Sequence, residues 1–208
     1  MRSNRVKHLL VAMLAVFAIG AVASASASAH SYWVEGAEVT TEPGPAVEGT
    51  SGTSILEGEG LLTVECKKDT FAGTIDAEGE SEANVKFTEC SVVGAPNCAV
   101  ANIEFTVVDA LTVFKGKLGD LFEPETGFKF VAIKITGSLC AVKGTYEVKG
   151  KQQCELDANA EIEQVEHEII CKPEGSELTL GANKAKFTST EKIKLSAPKA
   201  GQKWKAKA

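Results

Sequence analysis

Three histidines, 28 carboxylates and six cysteines are the groups in this 208-residue chain whose types suit chemistry. Imidazole has little to offer, because His8 lies in an N-terminal leader-like segment and only His30 and His167 remain. A Ser-His-Asp arrangement would rest on one of these two, and no Gly-x-Ser-x-Gly elbow occurs to present a serine. A nucleophilic hydrolase is therefore disfavoured. Glycoside hydrolysis needs two carboxyls about 5–9.5 Å apart, a property of space rather than of sequence. Most acids here fall at turns or outward positions, where solvated surface is the default. The acidic turn Glu78-Gly79-Glu80-Ser81-Glu82 would hold calcium only weakly, since it lacks the Asp-rich, Gly-centred loop of an EF-hand. No catalytic residue, metal ligand or cofactor-binding residue is assigned.

The cysteines carry the firmer chemistry. Arg2, Arg5 and Lys7 precede an apolar run from Leu9 to Val22, and Ala25-Ser26-Ala27-Ser28-Ala29 offers small residues to a signal peptidase. Residues 1–29 are thus predicted to be a signal peptide, and 30–208 a single secreted or envelope-associated domain, with no later stretch of membrane length. All six cysteines, Cys66, Cys90, Cys98, Cys140, Cys154 and Cys171, lie after the leader. In an oxidising compartment an even count reads as three disulfides. The turn Gly94-Ala95-Pro96-Asn97 suggests Cys90–Cys98, and chain order then gives Cys154–Cys171 and Cys66–Cys140. A thiolate metal site is the weaker alternative, as there is no Cys-x-x-Cys and no suitably spaced His.

Cleavage after Ala29 would leave His30 at a free amine. Amine and ring nitrogen together then resemble the histidine brace of copper-dependent polysaccharide monooxygenases. That resemblance requires a second internal histidine, and only His167, in Glu166-His167-Glu168, is available, with no other part of the motif present.

These residues must be positioned by strands. Leu62, Val64 and Cys66 alternate with Leu61, Thr63 and Glu65; Ile103, Phe105 and Val107 alternate with polar neighbours; Val131, Ile133 and Ile135 do the same. Such runs, broken by Gly, Pro, Asn or Asp, read as half-buried antiparallel strands. Further strands are expected near 71–76, 85–93, 139–149, 178–180, 184–188 and 191–196. The class is all-β, a sandwich or open barrel. Thr40–Ser54, with Pro43-Gly44-Pro45, reads as a surface loop. Ala158, Ile162, Val165 and Ile169 fall at helical spacing, so one short helix is expected over 157–170.

Charge is unevenly spread. Loss of the leader takes three of 22 basic residues and none of the 28 acidic ones, leaving −9, which argues against nucleic acid as a partner. Residues 183–208 hold eight lysines and one glutamate. The plain explanation is that these terminal strands lie beside acidic ones. The sharper one is attraction to an anionic envelope polymer.

Trp33 and Trp204, near the two ends of the predicted domain, are candidate glycan contacts, since aromatic faces stack on sugars. Tyr32 and Trp33 point to opposite faces of a strand. The plainer reading has each tryptophan plugging an end of the core.

The leader, Ser31-Tyr32-Trp33-Val34-Glu35-Gly36, Val64-Glu65-Cys66, Lys86-Phe87-Thr88-Glu89-Cys90 with the following Cys98, and Ile193-Lys194-Leu195 to Trp204 together resemble a group of exported, cysteine-bearing proteins of soil actinobacteria with no assigned activity. The resemblance implies export and a β-rich fold and transfers no site residue. The resulting expectation is a non-catalytic structural or adhesive protein of the envelope or exterior, without cofactor. A carbohydrate-binding module and a secreted glycan hydrolase are the alternatives.

Overall fold

A computed structural model describes residues 30–125 and 129–208. The expected leader, 1–29, lies outside the described residues. The strands are β1 (Ser31–Val34), β2 (Ala37–Glu38), β3 (Ala46–Ser51), β4 (Ser54–Gly58), β5 (Leu62–Ile75), β6 (Glu80–Val92), β7 (Ala99–Val100), β8 (Ile103–Phe114), β9 (Lys117–Pro124), β10 (Lys129–Thr136), β11 (Gly144–Leu156), β12 (Glu166–Leu180), β13 (Asn183–Leu195) and β14 (Trp204–Lys207).

The antiparallel all-β class expected from the alternation is what forms, and its pairings close into a ring. β5 pairs β6, which pairs β8, and the series continues through β9, β11, β12 and β13. β13 then pairs both β3 and β4, which in turn pair β5. Several of these elements are halves of one longer strand. β3 and β4 run end to end between β5 and β13, interrupted at Gly52-Thr53. β9 and β10 likewise run end to end along β11. Counted this way, eight strands follow chain order around an up-and-down barrel. Eight is the size at which the interior is just filled by side chains or holds one small ligand.

Period-2 burial makes the barrel two-faced. On β13 the inward Ala185, Ser189, Glu191, Ile193 and Leu195 alternate with exposed Lys184, Lys186, Lys192 and Lys194. The outward lysines meet acids on neighbouring elements: Lys186 with Glu59, Lys192 with Glu166 and Lys194 with Glu48, each at 3.3 Å. These β13 lysines thus lie beside acidic neighbours, with each exposed pair worth about 0.2–1 kcal/mol.

One end of the barrel is sealed by a second sheet, β14-β1-β2, in which Ser31 faces Lys207 and Val34 faces Trp204. Tyr32, Trp204 and Ala206 turn inward from it and are all but fully buried. The close fit inside the wall shows at Gly119, where a Cβ would lie 2.0 Å from the Cys154 carbonyl oxygen, so only glycine lets β9 lie this close beside β11 there.

Three expectations are corrected. Residues 46–51, placed in a loop, form the strand that completes the ring. Pro43 and Pro45 end before it, and buried Val47 and Gly49 alternate with exposed Glu48 and Thr50. No helix forms over 157–170: Ile162 and Val165 are 59% and 41% exposed, so the helical stripe has nothing to pack against. The Asp157 carboxylate instead accepts the N–H groups of Asn159 (2.7 Å) and Glu168 (2.9 Å), and β12 begins at Glu166. The run expected to be extended from Leu139 begins only at Gly144, after a turn held by a disulfide.

All six cysteines are bonded, as Cys66–Cys90, Cys98–Cys140 and Cys154–Cys171. Cys154–Cys171 follows the expected order, whereas Cys90–Cys98 and Cys66–Cys140 are not formed. Cys66 and Cys90 are directly opposed on β5 and β6 with Cα atoms 3.9 Å apart, so register selects that pair over the nearer turn. Three disulfides fit an extracellular setting. Among the described residues no helix is long and apolar enough to cross a membrane.

Candidate ligand cavity

The half of the lumen farther from the sealed end is not filled. Phe71, Phe87, Phe105, Phe122, Phe130 and Phe187 line a cavity of about 110 Å³, with aliphatic side chains such as Val64, Ile133 and Leu178 between them. For scale, an apolar cavity of about 150 Å³ stays dry and accepts benzene. Phe105, Phe122, Phe130 and Phe187 are only partly buried. The Phe87 and Phe105 rings stack at 6.1 Å, and Phe187 and Phe130 meet them edge-on at 6.0 and 5.9 Å. Edge-to-face contact of this kind adds about 0.5–1.5 kcal/mol per pair beyond area burial.

The wall has a seam beside these rings. β8 pairs β9 only as far as Val107 opposite Pro124, and β7 pairs β10 only at Ala99 and Val100. Among the described residues no ladder joins Ile103–Thr106 to Lys129–Ile133, and Phe105 and Phe130 close that gap with side chains.

Polar groups form the cavity's inner end: Ser54, Gln152 and Glu191. Two of them are satisfied locally. Ser54 donates to Asp69 Oδ2 at 2.7 Å, and its oxygen lies 3.2 Å from the Ser189 hydroxyl. Asp69 also accepts the Ser51 N–H at 2.9 Å and the Ser51 hydroxyl. Gln152 donates to the Gln153 carbonyl and accepts from Ser176. Glu191 differs. It is 8% exposed, borders the cavity, and makes no side-chain hydrogen bond among the described residues. Burial, then the charges of Asp69 and Asp109, push its carboxyl up to about 8.

Two more acids point inward beneath this level. Asp109 accepts from Ser81 at 2.8 Å, and burial, with a smaller contribution from Asp76, pushes it up to about 7. Asp120 accepts from the Tyr32 hydroxyl at 3.1 Å. No Lys, Arg or His lines the cavity among the described residues.

The candidate residues lie elsewhere. Trp204 is 2% exposed, packed between Tyr32 (6.1 Å) and His167 (4.5 Å), so it is a core residue and not a glycan contact. Trp33 is half-buried, and the Lys207 and Lys205 ammonium groups lie 4.1 and 5.8 Å from its ring. His167 is 1% exposed, its Nδ1 3.0 Å from Asp157 Oδ2 and its Nε2 donating to the Trp204 carbonyl at 2.9 Å. Both ring nitrogens face protein oxygens inside the buried cap, so His167 does not present either of them to a copper ion beside His30. Among the described residues no three His, Cys, Asp or Glu converge as metal ligands.

No family model, curated protein or solved structure matches this chain. The cavity and its chemistry therefore carry the functional argument alone. Sequence reasoning missed Glu191 as a lumen residue, although it shares the period-2 face of Ile193 and Leu195.

Proposed function

We propose that this is a non-catalytic, exported protein that binds one small apolar ligand inside the barrel. The single observation behind this reading is the aromatic cavity of about 110 Å³, where a close-packed core would place side chains. Three disulfides brace the wall around it, which suits a binder that must hold an empty space open outside the cell. The non-catalytic, extracellular class expected from composition is kept, while the partner changes from an envelope polymer to a compact apolar molecule. A sugar platform is not favoured, since Trp204 is buried and a lysine covers the Trp33 ring. Nor is a glycan hydrolase, because the inward carboxyls Asp69, Asp109 and Asp120 are buried and engaged by hydroxyls.

Titration with toluene, followed by the methyl resonances of Val64, Ile133 and Leu178, tests the proposal. Saturable shifts are expected in the parent protein, and Val131→Trp, which fills the lumen from its wall, should abolish them. Absence of any shift at saturating toluene would refute the reading.

A further inference from the structure

Building on that cavity reading, we infer that the ligand is an apolar amine whose ammonium group meets Glu191 while its body lies among the phenylalanines. Three observations converge. First, Glu191 is the one polar group of the cavity's inner end with no hydrogen bond among the described residues, and it is more than nine-tenths buried. A carboxyl on the cavity wall with no protein hydrogen bond can take its partner from a ligand.

Second, the sign of the surroundings is uniform. Asp69 on β5 and Asp109 on β8 both act on Glu191 through their charge, Asp120 on β9 lies beyond them, and no basic side chain lines the space. A carboxylate or phosphate ligand would find no cationic partner there. A plain hydrocarbon would leave Glu191 unpaired. An ammonium supplies up to three donors, and its charge favours release of the Glu191 proton to solvent, so that the two meet as an ion pair.

Third, the walls suit a cation. Six phenylalanine rings surround the space, and aromatic faces attract cations, more strongly when water is excluded. The cavity volume limits the body to one ring or a short branched chain. Benzylamine is therefore the natural probe, with toluene as its neutral counterpart and benzoate as its anionic one.

Calorimetric titration of the disulfide-intact protein with these three compounds tests the inference. Benzylamine is expected to bind about tenfold to a hundredfold more tightly than toluene, the range set by one charge-assisted hydrogen bond, and benzoate not at all. Glu191→Gln should erase the preference of benzylamine over toluene. The comparison of ligands on the unaltered protein needs no variant, so a poorly folding Glu191→Gln does not block the test. If toluene binds but benzylamine binds no better, or benzoate binds equally, the amine inference is wrong and the cavity reading stands. If toluene also fails to bind, the cavity reading falls with it.

Discussion

The Tyr32 hydroxyl donates to Asp120 Oδ1 at 3.1 Å, tying the capping sheet to the barrel interior across 88 residues of chain. Asp120 is 1% exposed, and burial, reinforced by the charge of Asp109, holds its carboxyl well above the usual carboxylate range. Without the phenol this buried oxygen loses its donor, at a cost of about 1–3 kcal/mol. Tyr32→Phe should lower the urea midpoint at unchanged m-value. An unaltered midpoint would mean that the cap is held by packing alone.

Glu191 and Asp109 give the fold an unusual pH dependence. Burial pushes them up to about 8 and about 7, so the folded chain keeps protons that the unfolded chain releases near pH 4. Their contribution is complete in mild acid and is lost as pH rises, by up to about 1.4 kcal/mol per pH unit for each group. Urea midpoints measured from pH 5 to pH 8 should therefore fall steadily. Glu191→Gln is expected to flatten the upper part of that slope, and a profile that rises over this window would contradict the assignment.

His167 and Trp204 form the second lock on the cap. The ring of His167 bridges Asp157 and the Trp204 carbonyl, and the two aromatic rings meet at 4.5 Å. Burial opposes charge on Asp157, but the N–H groups of Glu168 and Asn159, together with His167, outweigh it and hold the carboxyl below its ordinary range. Trp204→Ala should cost about 3–5 kcal/mol and His167→Ala about 2–4 kcal/mol. A double-mutant cycle should give a coupling of about 0.5–3 kcal/mol, and strict additivity would show that the two act independently.

The disulfides differ in the loops they close, with separations of 42 residues for Cys98–Cys140 and 17 for Cys154–Cys171. Chain entropy assigns them about 4 and about 3 kcal/mol respectively. Peptide mapping without reductant should recover the three observed pairs, and the Cys98→Ala/Cys140→Ala variant should lose more stability than Cys154→Ala/Cys171→Ala. Recovery of a Cys90–Cys98 peptide would overturn the pairing.

How much of this could be read from the chain depends on range. The alternation of Ile103, Phe105 and Val107 specified a strand with a buried face, and the same period carries on to Asp109 and Leu111, so that inward acid was legible in principle. Asp69 was not. Lys67 and Lys68 are both exposed, which breaks the period between Cys66 and Asp69 and brings Asp69 to the buried face alongside Phe71. Ring closure was hidden for a different reason. It depends on Ala46–Gly58 lying between β5 and β13, with partners such as Ile193 more than a hundred residues away, and the neighbouring prolines masked a short strand. The 157–170 segment misled because apolar spacing signals a helix only where a surface exists to receive it. The cavity could not be foreseen at all, since a void is what remains after every side chain has been placed.

The antiparallel pairing of Ser31 with Lys207 brings the first and last strands of the described fold together at the base, while the Gly60 and Gly181 hairpins stand at the opposite rim. A circular permutant joined by a short peptide across the base, with new ends cut at Gly60, would keep every barrel pairing. By the same geometry, a fluorophore or surface tether attached beside Ser31 or Lys207 would leave the opposite rim unobstructed.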